Sequence, residues 1–110
     1  MKVFIPIKLP SLANLSMHWR RFAAIKKQQR NATRICFHQH RTEIPPPPLL
    51  VVITRVGPRK LDGDNLQSAC KYVRDQIAAE IGIDDGSDIY IWDYRQRVGK
   101  PGVEVEITSR

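Results

Sequence analysis

The order of apolar patterns along the chain predicts an α+β fold, a single β-α-β-α-β-β domain whose helices pack on a mixed or antiparallel sheet. Three observations carry that expectation. Residues 49–56, Leu-Leu-Val-Val-Ile-Thr-Arg-Val, are rich in β-branched side chains and read as a buried central strand. Leu66, Ala69, Cys70, Val73, Ile77 and Ile81 recur at helical spacing as one stripe. Val103, Val105 and Ile107 alternate with Glu104 and Glu106, the pattern of a strand with one wet face.

Taken in order, Val3, Ile5 and Ile7 alternate with Lys2, Phe4 and Pro6, which predicts a first strand that Pro6 confines to a sheet edge. Pro10 and Ser11 end it. A long helix is expected over roughly 14–40, with Leu15, Trp19, Phe22, Ala23, Ala32, Ile35 and Cys36 near its apolar face. Its other side carries Arg20, Arg21, Lys26, Lys27, Arg30 and Arg34. The run Pro45–Pro48 stiffens an extended connection into the second strand, which Gly57-Pro58 ends. Asp64 or Asn65 can cap the second helix, with Gln67 placed for a return contact of the capping-box kind, and Gly82 stops it. Ile89–Arg95 reads as a strand, and Gly99-Lys100-Pro101-Gly102 as the turn folding it into a hairpin with 103–107.

At 110 residues the chain has the length of one domain with one core. Its 42% hydrophobic and 26% charged residues place it among globular rather than disordered chains. The net charge of +7 is unevenly divided. Residues 1–42 carry nine Lys and Arg and no acid, whereas residues 43–110 carry nine Lys and Arg against all eleven acids, a net of −2. A basic half suited to backbone phosphates, joined to a half bearing carboxylates, is a nuclease-like layout. A merely basic soluble domain accounts for the charge equally well. No apolar run approaches membrane-spanning length, and Met1–Lys8 is too short and interrupted for a signal peptide, so a cytoplasmic protein with no membrane partner is expected. Cys36 and Cys70 lie among apolar neighbours at no zinc-like spacing and are expected to be buried free thiols.

The acids of the second half gather in sequence. Arg59-Lys60-Leu61-Asp62-Gly63-Asp64-Asn65-Leu66 sets two carboxylates at the start of the second helix, and Asp84-Asp85 sets two more beyond its end. Like charges held close repel and raise one another's pKa, a cost that a hard divalent cation reverses. Mg²⁺ is typically held by one or two carboxylates together with water and substrate phosphate. A basic protein that concentrates acids in this way points to metal-dependent chemistry on a phosphate polymer. Phosphodiester hydrolysis needs an activated water and neutralised charge, which metal-held carboxylates supply, and Arg59, Lys60 and Lys71 add charge stabilisation. Plainer readings stand beside this one. Asp-Gly and Asp-Asn favour turns and caps, and Lys71 can pair with Asp75 on a solvated helix face. His18, His38 and His40 have no metal-like spacing with the aspartates, and Trp19 and Trp92 are read as core residues.

The string Pro58-Arg59-Lys60-Leu61-Asp62-Gly63-Asp64-Asn65-Leu66-Gln67, a helix, and Gly82-Ile83-Asp84-Asp85 together resemble the RusA family of phage-type Holliday junction resolvases. That family's signature is a basic di- or tripeptide, D-x-D-N-L, a helix, and a later D-D before a strand. Leu12-Ala13-Asn14-Leu15, His18-Trp19 and Lys26-Lys27-Gln28-Gln29-Arg30 resemble its phage-borne branch, so the likeness covers nearly the whole chain. It implies a homodimeric, Mg²⁺-dependent endodeoxyribonuclease, with Mn²⁺ as an alternative ion, that resolves four-way DNA junctions by paired cuts in recombination or repair. Carried over position by position, the catalytic and metal-binding aspartates are Asp62, Asp64 and Asp85, and Asn65 is the motif asparagine. One position departs: the family's functional lysine, four residues after Asp64, is Ser68 here. Lys71, seven residues beyond Asp64 and on nearly the same helix face, is the expected substitute. DNA contacts are expected from Arg59 and Lys60 and from Arg20, Arg21, Lys26, Lys27, Arg30 and Arg34.

An unbroken helix over 65–81 holds its ends about 25 Å apart. Asp85 of one chain is therefore expected to approach Asp62 and Asp64 of a second, in a two-fold dimer with antiparallel helices. Two other functions fit the same residues. One is a module that binds branched DNA without cutting it, which the Ser68 departure favours; the other is a nuclease preferring flaps or forks. A basic interaction protein that presents Pro45–Pro48 to a partner is the remaining alternative.

Overall fold

A computed structural model describes residues 1–12 and 19–110. The elements run β1 (Lys2–Ile5), α1 (Trp19–His38), a short 3₁₀ turn (Arg41–Glu43), β2 (Leu49–Gly57), α2 (Gly63–Ala69), α3 (Lys71–Ile81), β3 (Tyr90–Val98) and β4 (Gly102–Ser109). The fold is α+β, with three helices and a four-stranded mixed sheet in the order β1-β4-β2-β3. One apolar core joins the inward side chains of the sheet (Val3, Ile5, Val51, Ile53, Val103, Val105, Ile107) to Phe37 of α1 and to Leu66, Val73 and Ile77 of α2 and α3. Among the described residues no helix is long and apolar enough to cross a membrane.

β2 takes the central place that its composition predicts, with Leu49, Val51 and Ile53 fully buried on one face and Leu50, Val52 and Thr54 half-buried on the other. β1 is an edge strand, as Pro6 requires. The expected hairpin is replaced by a different pairing. β3 and β4 do not pair with each other; β2 lies between them, parallel to β3 (Leu49 opposite Tyr90) and antiparallel to β4 (Leu49 opposite Ser109). The connection through Gly99-Lys100-Pro101 passes over the end of β2, where the Gly99 N–H donates to the Gly57 carbonyl at 2.9 Å. Three extended residues bridge two interstrand spacings of about 4.8 Å. The strand with most apolar surface on both faces wins the centre, and a short turn does not by itself specify a hairpin.

The second helical stretch is two helices rather than one. Cys70 ends α2 and begins α3 with φ −87° and ψ −3°, and its N–H is shared between the Leu66 and Gln67 carbonyls at 3.2 Å each. The apolar stripe survives the break: Leu66, Ala69, Cys70, Val73 and Ile77 are buried. Gly82 stops α3 in the left-handed region at φ 85°, a conformation cheap only for glycine, and its N–H reaches the Ala78 carbonyl at 2.8 Å.

α1 faces the core along a different line from the one expected. Gln29, Thr33 and Phe37 are buried, while Trp19 is 66% and Ile35 58% exposed. Trp19 is thus not a core residue. Thr33 tolerates burial because its hydroxyl donates to the Gln29 carbonyl of its own helix at 2.8 Å. Reading residue type alone favoured the larger apolar side chains; packing chose the i, i+4 row that fits against α3 and β1. Leu15 and the Ala13-Asn14-Leu15 and His18 parts of the resemblance lie outside the described residues. Both cysteines are free thiols, Cys70 buried and Cys36 half-buried.

Candidate functional site

β2 delivers the chain to the first pair of aspartates. Beyond Gly57 the backbone leaves the sheet, exposes Pro58, Arg59 and Lys60, and enters α2 with Asp62 as its N-cap residue at φ −62° and ψ 156°. The cap is made by backbone only: the Leu66 N–H donates to the Asp62 carbonyl at 2.8 Å, and the Asp62 side chain caps nothing. The cap falls at Asp62 rather than at the expected Asp64 or Asn65, so Gln67 no longer occupies the position of the expected return contact. Asp62 and Asp64 are exposed, and neither joins any ion pair among the described residues. Turn and cap residues ordinarily spend their carboxylates on backbone N–H groups. These two are left facing solvent beside Arg59 and Lys60.

This exposed loop is nonetheless held from behind. Arg55, only 5% exposed, donates from Nε to the Leu9 carbonyl at 2.7 Å and from Nη1 to the Arg59 carbonyl at 2.8 Å. Burial lowers its pKa from the ordinary arginine value, with the nearby Cys70 acting in the opposite direction. The Gln96 amide on β3 grips Leu61 twice, accepting from its N–H at 2.8 Å and donating to its carbonyl at 2.7 Å.

The second pair of aspartates follows the Gly82 stop. Asp84 is structural, accepting the Gly86 N–H at 3.1 Å through Oδ2. Asp85 turns back onto α3, where Arg74 donates from Nε to Asp85 Oδ2 at 3.0 Å, from Nη2 to the Asp85 carbonyl at 3.2 Å and from Nη1 to the Tyr94 hydroxyl at 2.6 Å. The same guanidinium lies 4.7 Å from the centre of the Trp92 ring, and Trp92 Nε1 donates to the Asp85 carbonyl at 2.9 Å. Tyr90 closes the turn by donating to the Ile83 carbonyl at 2.8 Å; burial first, then the charges of Asp85 and Asp84, hold its hydroxyl above the ordinary tyrosine pKa. Trp92 is half-buried in this network.

Asp85 consequently shares a cleft of about 310 Å³ with Gln67, Ser68, Lys71, Arg74, Asp75 and Tyr94. Lys71, the substitute expected for Ser68, lies in the same cleft as Ser68 and is not ion-paired to Asp75. A neighbouring cleft of about 340 Å³ continues past Asp75 and Asp85 to Arg30 on α1. Arg30 donates to Gln76 Oε1 at 2.9 Å, Lys26 lies 6.0 Å from the Tyr72 ring, and Arg34 lines a third cleft of about 450 Å³ with Glu80. The basic side of α1 is therefore laid along α3. Arg20, beside the Trp19 ring, and Arg21 are exposed at its start.

Asp62 and Asp64 lie at the N-cap and in the first turn of α2, whereas Asp85 lines the cleft. Among the described residues no three His, Cys, Asp or Glu side chains of one chain gather closely enough to hold a metal ion. The donor chemistry fits a hydrated hard cation, since one or two carboxylates are what Mg²⁺ typically takes from a protein. Asp62 and Asp64 are exposed and join no ion pair among the described residues. Asp85 differs, since Arg74 engages one of its oxygens. Sequence reasoning missed Arg74, Gln96 and Arg55. No short motif marks them, because their partners lie at distant positions in other elements. No family model matches the chain, and neither curated proteins nor solved structures give a significant match.

Proposed function

We propose that this protein is a metal-dependent endodeoxyribonuclease of the RusA type that acts in the cytoplasm as a homodimer and resolves four-way DNA junctions by paired phosphodiester cuts. The observation that carries the reading is the pair of exposed carboxylates at Asp62 and Asp64, which join no ion pair among the described residues, flanked by Arg59 and Lys60 in a chain of net charge +7. Asp62 and Asp64 are the residues that would hold Mg²⁺ or Mn²⁺, which would supply Lewis acidity for phosphodiester hydrolysis. Arg59, Lys60 and Lys71 bind the anionic backbone around it, and the cations of α1 extend the contact along the strand. Asp85, which one chain does not join to the other two aspartates, reaches them from the second subunit.

A labelled synthetic four-way junction, compared with a linear duplex in Mg²⁺ and in EDTA, tests the reading. Paired cuts on the junction alone, abolished by EDTA and by Asp64→Asn while junction binding persists, are expected. Flap and fork substrates run alongside identify a nuclease of different preference. The second reading, a module that binds branched DNA without cutting it, is favoured by Ser68 at the lysine position and by the engagement of Asp85 with Arg74. Tight junction binding with no cleavage in either Mg²⁺ or Mn²⁺ selects it.

A further inference from the structure

The segment that leads into α2 through Asp62 and Asp64 combines an exposed surface with a backbone held by side chains of the sheet. Pro58, Arg59, Lys60, Asp62, Gly63 and Asp64 are exposed, and a solvent-facing loop of this kind is ordinarily among the most mobile parts of a fold. Here each end of the stretch before Asp62 is tied by a side chain from the sheet. Arg55 of β2 takes the Arg59 carbonyl, and Gln96 of β3 takes both the N–H and the carbonyl of Leu61. A carboxamide can do this because it presents an acceptor and donors together, and it stands in for a strand partner that the loop lacks.

Arg55 is the more telling of the two. It is buried at 5% exposure, and no carboxylate pairs with it among the described residues. Burying a cation against carbonyls alone is expensive, and an apolar side chain of the same reach would serve a core better. What the guanidinium gains is a fixed distance between Leu9, β2 and Arg59. A Cβ at Gly57 would lie 3.0 Å from Nη1, close enough that the guanidinium would have to shift by a few tenths of an ångström.

We infer that Gln96 and Arg55 are positioning residues that, by holding Arg59 and Leu61, fix the entry into α2 and so the placement of Asp62 and Asp64 before any ion arrives. The inference rests on the proposed role of Asp62 and Asp64. It assigns the precision of that site to two residues that touch neither metal nor substrate. Partners that orient metal ligands typically change affinity about 10- to 100-fold when removed.

The test is a Mn²⁺ titration of the ¹⁵N-labelled full chain, read from paramagnetic broadening of amide signals, with amide exchange at Leu61 measured in the same samples. Wild type is expected to protect the Leu61 amide and to broaden first around residues 61–65, and Asp64→Asn to lose that broadening. Gln96→Met keeps the volume of the side chain, so the rest of the spectrum is expected to stay in place. The Leu61 amide should then exchange freely and the Mn²⁺ dissociation constant rise about tenfold. Arg55→Lys, which keeps the charge but cannot reach both carbonyls in the same way, is expected to shift the constant in the same direction. Wild-type affinity in Gln96→Met, with the Asp64→Asn effect intact, overturns the inference and leaves the metal site standing. Absence of Mn²⁺ broadening in wild type overturns the metal reading and this inference together.

Discussion

The guanidinium of Arg74 meets an Asp85 carboxylate oxygen, the Asp85 carbonyl, the Tyr94 hydroxyl and the Trp92 ring. These partners come from three residues, Asp85, Trp92 and Tyr94, with the hydrogen-bonded ones 11 and 20 residues from Arg74. The ion pair is partly wet, with Arg74 28% and Asp85 35% exposed, so its worth lies between that of a surface pair and a buried one. Arg74→Met is expected to lower stability by about 1–2 kcal/mol. That loss reads as a fall in urea midpoint at unchanged slope. An unmoved midpoint would mean that the network contributes nothing to the folded state. Nothing in a sequence distinguishes Arg74 from any half-exposed helical arginine, because its meaning lies in Asp85, Trp92 and Tyr94 arriving beside it. Asp62 and Asp64 were legible for the opposite reason: they are neighbours in sequence, and their spacing and flanking cations are visible without a fold.

At the scale of elements, the junction between α2 and α3 sets the chemistry of Cys70. The thiol sits in the core behind both helices, where desolvation pushes its pKa up from 9.0 to about 12, with Arg55 pulling the other way. An unfolded thiol loses its proton near 9.0, so between that value and about 12 the unfolded chain binds fewer protons and stability falls as pH rises. The contribution is complete below pH 9 and disappears towards 12. Burial raises the Tyr90 pKa too, which gives the same sign. Cys70→Ala is therefore expected to be less stable at neutral pH by about 1 kcal/mol, through the small cavity it leaves. Its melting temperature should nevertheless decline less steeply than wild type from about pH 8.5 to about pH 10.5; parallel declines would refute the assignment to Cys70. The burial of this stripe was readable from apolar spacing, which a one-residue break does not disturb. The face of α1 was not, since Gln29 and Thr33 are buried by what they pack against and not by their hydrophobicity.

For the whole molecule, the open matter is whether each site is closed within one chain or shared. Among the described residues Asp62, Asp64 and Asp85 form no three-carboxylate metal group, and the break at Cys70 removes the unbroken helix that set them about 25 Å apart. If two chains share each site, inactive Asp64→Asn and inactive Asp85→Asn chains, mixed and allowed to exchange subunits, should recover junction nicking. Each heterodimer then has one intact site and carries both changes in the other. Sites closed within each chain would give no recovery, because every copy would carry a defect. The sequence by itself determined the order of elements, the central strand, the edge strand, the division of charge and the carboxylate pair. All of these follow from side-chain type and from spacing between near neighbours. Only the tertiary structure decided that β2 separates β3 from β4, that Phe37 and not Trp19 enters the core, and that Asp85 meets Arg74. The physical reason is common to all three. Each is a competition among distant groups for the same buried surface or the same hydrogen bond, and such competitions are settled only when the whole chain packs.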